Sequence, residues 1–143
     1  AGFIGSPAMN FFNGKVVVEE GSMYVDMGSF RVKVPDHNIA RYDSVIGKDI
    51  IFGIRPEDIH NPEFAPPGII AEPVEVIVDV TELMGNEIFL YLVNGTHNFI
   101  ARVDPRTQAH FGDKMTVAFN MDNFHIFDPS LDAENPPVVG LTE

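Results

Sequence analysis

The residues in this sequence that could carry out chemistry are its histidines and carboxylates, because the 143-residue chain contains no cysteine. Thiol nucleophiles, disulfides and thiolate metal sites are therefore excluded. None of the five histidines is followed closely by another, as a zinc motif requires. Acidic neighbours such as Glu57 and Asp58 occur, but nothing in the sequence places two carboxylates across a cleft for glycoside hydrolysis. With no phosphate-binding loop and no G-x-S-x-G motif, the sequence contains no visible catalytic machinery.

The clearest polar feature is the stretch GIRPEDI, residues 53–59, in which a predicted core strand ends at Arg55. Arginine is uncommon here, since the chain has nine basic and 21 acidic residues. Pro56 favours a tight turn because its ring presets φ, and Arg55 can donate two parallel hydrogen bonds to a carboxylate. That carboxylate is either Glu57 or one on another domain or subunit; both remain open, and we hypothesise the second. Arg55, Pro56 and Glu57 are therefore candidate interface or regulatory residues.

A second candidate is the stretch LMGNE, residues 83–87. One interpretation is a turn between two strands, in which Gly85 or Asn86 takes a positive φ and Glu87 begins the next strand. The alternative is a polar loop that contacts a ligand or partner, because binding residues often lie on loops. The residues alone favour the turn, but Gly85, Asn86 and Glu87 are kept as candidate interface residues.

The formal net charge of -12 restricts the possible partners. An acidic surface repels phosphate backbones and anionic lipids, so binding to nucleic acid or to a membrane surface is not expected. A barrel that binds single strands would need a basic groove interleaved with exposed aromatic residues. The charge balance and the absence of tryptophan argue against such a groove.

These candidate residues must be positioned by β-structure. From Lys15 onward, short β-branched and aromatic runs alternate with Gly, Asn, Asp and Pro, which is typical of an all-β barrel or sandwich. Asn94-Gly95 predicts a hairpin turn, because both residues tolerate a positive φ, and Met27-Gly28-Ser29 predicts a weaker one. One short helix or an ordered loop is expected over 36–46. The predicted strands are 15–19, 23–27, 30–34, 49–54, 69–83, 87–93, 97–103, 115–119 and 124–127.

The chain also contains an internal repeat. Residues 47–60 align without gaps with residues 112–125. Each copy has a glycine, two opposite charges, an apolar strand, an acid in the turn, an apolar residue and a histidine, His60 or His125. We interpret the copies as two related β units that share one core, because neither could bury its apolar face alone. A chance resemblance between two strand–turn–strand units is the alternative.

Four stretches resemble, in the same order, the C-terminal region of ATP-binding subunits of ABC importers of the maltose and glycerol-3-phosphate type. They are GFIGSPAMNFF, GIRPEDI, VTELMGNEIFLYL and ARVDPRTQAHFGDKMTVAFNMDNFHIFD. The resemblance runs from Gly2 to about Pro129. It implies a TOBE domain, which is an OB-like (oligonucleotide/oligosaccharide-binding-like) all-β barrel built from two related β units with at most one short helix.

The resemblance also implies a division of the chain. Residues 1–14 would be a connector from a missing nucleotide-binding domain, 15–129 the OB-like domain with halves of about 15–62 and 69–129, and 130–143 an extended tail. Because the start is apolar and lacks methionine, we expect that the chain is truncated there. The connector residues are Phe3, Ile4, Ser6, Pro7, Met9 and Asn10.

For function, the resemblance implies a regulatory and dimerising domain of an importer for sugars or related solutes. No catalytic residue, metal or cofactor is expected in this piece, because ATP and magnesium would bind to the missing domain. The expected partners are that domain, a second ATPase subunit, the membrane subunits indirectly, and a regulatory protein in some members. The expected location is the cytoplasmic face of the cell membrane. The alternative is a free-standing β-barrel that binds a small ligand, either a sugar or an oxyanion.

Overall fold

The computed structural model describes residues 7–140, which form ten β-strands and three 3-10 helices. The strands are β1 (Asn10–Glu19), β2 (Ser22–Asp26), β3 (Arg31–Lys33), β4 (Asp49–Ile54), β5 (Ile59–His60), β6 (Ala71–Met84), β7 (Glu87–Asn94), β8 (His97–Val103), β9 (Lys114–Asn120) and β10 (His125–Phe127). The 3-10 helices are Asp36–Val45, Pro56–Asp58 and Pro62–Phe64. The helix expected over 36–46 is thus present, as a 3-10 helix, and two further single turns of the same type were not predicted.

The strands form two five-stranded sheets, in the orders β10-β4-β1-β2-β3 (sheet 1) and β5-β9-β6-β7-β8 (sheet 2). All neighbouring strands are antiparallel. In the first part of β6, buried Val74, Val76 and Val78 alternate with exposed residues. Because successive side chains of a strand point to opposite faces, this alternation gives each sheet one apolar face to pack. The all-β, OB-like fold predicted from the sequence is confirmed.

Phenylalanine rings from both sheets form the centre of the core. The ring centroids of Phe12 in β1 and Phe99 in β8 lie 5.1 Å apart, and those of Phe52 in β4 and Phe119 in β9 lie 6.2 Å apart. None of these four side chains is more than 4% exposed. Such ring pairs contribute about 0.5–1.5 kcal/mol beyond the burial of their area. The two sheets are therefore joined by specific ring contacts as well as by general burial.

The sheet registers confirm the internal repeat. In sheet 2, His60 of β5 pairs with Ala118 of β9, and in sheet 1, His125 of β10 pairs with Gly53 of β4. The second pair consists of the positions that the alignment makes equivalent to the first. Each short strand therefore crosses over, so that β5 completes the sheet of the second half and β10 completes the sheet of the first half. The two halves share both sheets.

The entry into each copy of the repeat is built in the same way. The N–H of Gly47 donates to the carbonyl of Val16, and the N–H of Gly112 donates to the carbonyl of Val78, both at 2.7 Å. The φ angles of the two glycines are +80° and +86°, a region in which glycine is favoured because it lacks a Cβ. This backbone requirement explains why both copies begin with glycine.

The hairpin predicted at Asn94-Gly95 is present, with its turn one residue later. Asn94 ends β7 and pairs with His97, so Gly95 and Thr96 are the two turn residues. Gly95 has a φ of +59°, as expected when glycine occupies the first central position of a hairpin turn. Asn94 does not take a positive φ, because it remains in the strand, where its Nδ2 donates to the carbonyl of Glu75 at 2.6 Å.

The segment after β10 folds back along the sheet. The carboxylate of Asp128 accepts hydrogen bonds from the N–H and hydroxyl of Ser130 at 3.0 and 2.6 Å, and it forms an ion pair with Lys48 at 2.9 Å. The chain then returns antiparallel to β10, where Val138 pairs with Phe127. Up to residue 140, the residues after β10 therefore form a return segment, because the chain reverses at the Asp128 turn.

The first strand begins at Asn10, earlier than the predicted start at Lys15. Asn10 is only 6% exposed, and its side chain connects β1 of sheet 1 to β8 of sheet 2. Its Nδ2 donates to the carbonyl of Ile100 at 2.9 Å, and the N–H of Ile100 donates to its Oδ1 at 3.0 Å. The side-chain amide thus satisfies both backbone groups of Ile100, as a neighbouring strand would.

We predict that Asn10→Ala lowers the free energy of unfolding by about 2 kcal/mol, because it leaves two partly buried backbone groups of Ile100 without partners. Urea denaturation measures this change. Asn13→Ala is the matched control, since Asn13 is an exposed asparagine of the same strand and should change stability by less than about 0.5 kcal/mol. Equal losses for the two variants would contradict the role assigned to Asn10.

Candidate functional site

The turns that follow β4 and β9 meet at the junction of the two repeats. Asp58 ends the 3-10 helix Pro56–Asp58 and is only 8% exposed. Its Oδ1 accepts a hydrogen bond from Nδ2 of Asn123 at 2.9 Å, and the two residues are 65 positions apart, which makes them equivalent in the repeat. Equivalent positions of the two copies therefore contact each other. One carboxylate and one amide form a matched acceptor–donor pair, which two ionised aspartates could not do.

Arg55 directly precedes the first of these turns and is exposed. Its backbone is still extended, and Pro56 is buried at the start of the 3-10 helix, as the turn prediction required. Across residues 7–140, Arg55 forms no ion pair with Glu57, whose side chain is also exposed. The local alternative for Arg55 is thus not realised in the described part of the chain.

Arg55 lines a pocket of about 220 Å³ beside the Asp58–Asn123 pair. We call it the junction pocket. Its walls come from the two turns, the 3-10 helix Asp36–Val45 and the return segment near residues 138–140. The charged or ionisable side chains that line it are Arg41, Tyr42, Arg55, Asp122 and His125.

The two histidines of the repeat, His60 and His125, lie at equivalent strand positions. Both are half-buried, and burial lowers the pKa of His60 and of His125 below the usual value of 6.5. The surroundings differ in one respect. The guanidinium of Arg55 further lowers the pKa of His125, whereas the carboxylate of Asp58 opposes the shift at both histidines. His125 thus lies in the more positive of two otherwise similar environments.

The second candidate stretch forms the tip of the β6–β7 hairpin. Met84 pairs with Glu87, and the two turn residues are exposed Gly85, with a φ of +66°, and exposed Asn86. Glu87 begins β7, and its carboxylate lies 3.5 Å from Nε of Arg102. The turn interpretation is therefore correct, with glycine supplying the positive φ. The same tip exposes an apolar residue, since Leu83 is 70% exposed.

The structure keeps the two candidate groups apart. No hydrogen bond or ion pair within residues 7–140 joins the 55–57 turn to the 85–87 hairpin tip. Of the connector residues, Met9 lies against β4, because a Cβ added to Gly53 would be 2.6 Å from its sulfur. Asn10 is used within the fold, and Pro7 is exposed. Phe3, Ile4 and Ser6 lie outside the described residues.

Two further searches covered the described part of the chain. Between residues 7 and 140, no group of three or more His, Asp or Glu side chains is arranged to hold a metal ion. In the same range, no helix has both the length and the apolar character needed to cross a membrane.

Sequence reasoning missed the Asp58–Asn123 pair and the position of Arg41 in the wall of the junction pocket. The alignment of the repeat contained a signal for the first, since it places Asp58 and Asn123 at the same position. It contained none for the second, because Arg41 reaches the junction pocket from a helix with no counterpart in the aligned segments.

Two family descriptions match along the chain. "MalK OB fold domain" covers residues 5–59 and "TOBE domain" covers residues 52–127. Among solved structures, the cytoplasmic molybdate-binding protein ModG, determined with molybdate bound, superposes with a TM-score of 0.55 at 9% identity, covering 86% of this chain and 96% of that one. At this identity the likeness concerns the fold alone, and it agrees with the two-sheet architecture.

In sequence, the chain is more similar to several curated proteins. The chain is 43% identical over 129 residues to the oligosaccharides import ATP-binding protein MsmX of Bacillus subtilis, covering 89% of this chain and 34% of that protein. It is 37% identical over 131 residues to the trehalose/maltose import ATP-binding protein MalK of Thermococcus litoralis, covering 90% and 34%. The chain thus spans about a third of the length of the curated relatives it matches. The relationship to ATP-binding subunits of ABC importers, which the four motifs indicated, is confirmed.

We predict that Asn123→Asp destabilises the chain by about 2 kcal/mol near neutral pH, because two carboxylates would then face each other at the repeat junction. Repulsion would raise the pKa of one carboxyl above its unfolded value, so the folded state would bind more protons. The lost stability should therefore return as the pH falls towards about 4. Urea denaturation at several pH values tests this.

The reciprocal variant Asp58→Asn/Asn123→Asp is the matched control, since it restores one donor and one acceptor with the roles exchanged. It should recover most of the loss at neutral pH. A double variant as unstable as Asn123→Asp would show that the pair is not a simple hydrogen bond between equivalent positions.

Proposed function

This chain belongs to the family of TOBE domains, and on that premise we propose that it is the regulatory and dimerising domain of the ATPase subunit of an ABC importer. The transported solutes would be sugars or related compounds, the class named in the descriptions of its relatives. The chain itself would be non-catalytic and would bind no cofactor.

The observation that supports this proposal is the continuity of the similarity. The two domain descriptions together span residues 5–127, and the alignments with import ATP-binding proteins cover 89% to 93% of the chain. Because the chain makes up only 34% to 35% of those proteins, we assign the binding of ATP and magnesium, and ATP hydrolysis, to the remaining part of such a subunit. A free-standing sugar- or oxyanion-binding barrel would not account for this pattern.

The proposed partners follow from the same premise. They are the nucleotide-binding domain of the same subunit, a second copy of the subunit and, indirectly, the membrane subunits of the importer. The proposed location is accordingly the cytoplasmic face of the cell membrane, held there through the transporter. A regulatory protein is a further proposed partner, because a domain that adds no chemistry can act on the ATPase only through contacts.

For the contact surface we propose the β6–β7 hairpin tip, residues 83–87. The hairpin exposes Leu83, in β6, beside the exposed turn residues Gly85 and Asn86, so an apolar residue lies next to a polar turn. Interfaces typically have such a composition, with an apolar centre and a polar rim. In the isolated chain this surface is small, and we therefore propose that the chain alone is a monomer or a weak dimer.

The proposal predicts that the 143-residue chain neither binds nor hydrolyses ATP. Calorimetric titration with ATP and magnesium should give no saturable heat, and a phosphate-release assay should give only the background rate. Full-length MsmX, assayed in parallel, is the positive control for both measurements. ATP hydrolysis by the isolated chain would overturn the proposal.

Leu83→Ser should weaken dimerisation of the full-length subunit by about tenfold, because burial of a leucine in an interface is worth about 1.5–3 kcal/mol. Sedimentation over a concentration series measures the effect. Leu131→Ser is a matched control, because Leu83 and Leu131 are 70% and 71% exposed. Both variants should leave the melting temperature of the isolated chain nearly unchanged. Equal effects of the two substitutions on dimerisation would contradict the hairpin tip as the contact surface.

A further inference from the structure

The sequence contains two positions at which glycine directly follows asparagine, Asn13-Gly14 and Asn94-Gly95. An asparagine side chain can lose ammonia when the backbone nitrogen of the next residue attacks its Cγ. Glycine permits this attack more readily than other residues, because it has no Cβ to hinder the approach and restricts the backbone least. The surrounding fold therefore decides whether one, both or neither of the two asparagines is reactive.

Asn13-Gly14 lies in a central strand of sheet 1. On one side, Asn13 pairs with Ile51 and Gly14 pairs with Ile50, both in β4. On the other side lies β2, where the carbonyl oxygen of Asp26 would be 3.2 Å from a Cβ added to Gly14. The attack requires the asparagine backbone to rotate out of the extended conformation. Because β1 has a neighbouring strand on each side, this rotation at Asn13 requires the sheet to open.

Asn94-Gly95 lies at the end of a hairpin instead. Asn94 forms the last pair between β7 and β8, with His97, and Gly95 is an exposed turn residue. Fraying of the last pair of a hairpin requires less free energy than the opening of a central strand. The backbone alone would therefore make Asn94 the more reactive of the two asparagines.

The side-chain amide of Asn94 is held at both ends by hydrogen bonds. Its Oδ1 accepts a hydrogen bond from the hydroxyl of Ser29 at 2.5 Å, and its Nδ2 donates to the carbonyl of Glu75 at 2.6 Å. We call these two hydrogen bonds the hairpin clasp. They fix the orientation of the amide, whose nitrogen is the group that must leave. The hairpin clasp therefore opposes the reaction that the turn would otherwise allow.

The hairpin clasp belongs to a contact between the two halves of the chain. Ser29 lies in the loop between β2 and β3, and a Cβ added to Gly95 would be 2.7 Å from its side chain. In the same loop, the carbonyl of Met27 accepts a hydrogen bond from Nε2 of His97 at 2.8 Å. Ser29 and Asn94 are 65 positions apart, which is the spacing of the repeat. The tips of two equivalent hairpins thus contact each other.

We propose that Asn94 is a site of spontaneous deamidation whose rate is controlled by the hairpin clasp. When the clasp opens, the backbone nitrogen of Gly95 loses its proton and attacks Cγ of Asn94, and a cyclic imide forms. The bond between Cγ and Nδ2 breaks, and Nδ2 takes up a proton and leaves as ammonia. Water then opens the imide and leaves either aspartate or isoaspartate at position 94. The reaction needs only water, so the inference does not rest on the proposed function.

The product would weaken the contact between the two hairpin tips. A carboxylate at position 94 still accepts a hydrogen bond from Ser29, but it cannot donate to the carbonyl of Glu75, so two acceptors face each other. Asn94→Asp reproduces the aspartate product, and we expect it to lower the melting temperature by about 3 °C or more. Asn98→Asp is the matched control, since Asn98 is an exposed asparagine of the same hairpin, and it should cause a smaller change.

The reaction is followed by incubating the folded chain in mildly alkaline buffer, digesting samples with a protease and measuring deamidation at each site by mass spectrometry. Asn94 should react at least about tenfold faster than Asn13, which is the internal reference. In concentrated urea, where structure holds neither site, the two should react at similar rates. Ser29→Ala removes one hydrogen bond of the clasp and should accelerate Asn94 by about threefold or more. Ser44→Ala, at an exposed serine outside the clasp, should not.

The inference is overturned if Asn94 and Asn13 react at the same rate in the folded chain, or if Asn94 reacts in urea but not in the folded chain. It is also overturned if Ser29→Ala leaves the rate at Asn94 unchanged. Because Ser29 is exposed, its replacement should leave the fold intact. The rate at Asn13 verifies this in the same samples, since a general loss of stability would accelerate both asparagines, whereas loss of the clasp accelerates Asn94 alone.

Discussion

The exchange of short strands between the two repeats is the constraint on which the rest of the structure depends. β5 leaves the first half to pair with β9, and β10 leaves the second half to pair with β4, in equivalent registers. Each sheet is completed by the other half, and the core rings lie between them. Because a half alone would lack an edge strand and the apolar face against which its sheet packs, stability must belong to the chain as a whole.

The same exchange places the turns after β4 and β9 against each other, where the two copies of the repeat differ in sequence. At the point of contact, each copy carries a polar residue. Asp58 of the first copy accepts a hydrogen bond from Asn123 of the second. Two to three positions earlier the copies diverge more strongly, because Arg55-Pro56 in the first stands where Asn120-Met121 stands in the second. The repeat thus brings the two turns together, and only the first of them carries an arginine, Arg55.

Local patterns were sufficient to predict the long strands, the two hairpins and the repeat, because alternation of apolar residues and turn residues is a short-range signal. They could not predict β5, which has only two residues, or which strands of the two halves pair with each other, because that pairing depends on the packed core. The role of Asn10 was missed for the same reason, since its partner Ile100 is 90 positions away. Of the candidate site, Arg55 was identified from its type and position, whereas Arg41 is brought to it only by tertiary structure.

Native-state hydrogen exchange tests the central claim, that the two halves form one cooperative unit, most directly. If each sheet is completed by the other half, the slowest amides of β4 and of β9 should exchange with the same opening free energy, equal to the global free energy of unfolding from urea denaturation. They should also show the same dependence on denaturant. Exchange of β9 at a clearly lower free energy than β4, or the reverse, would show that one half opens while the other remains folded, and would contradict the account.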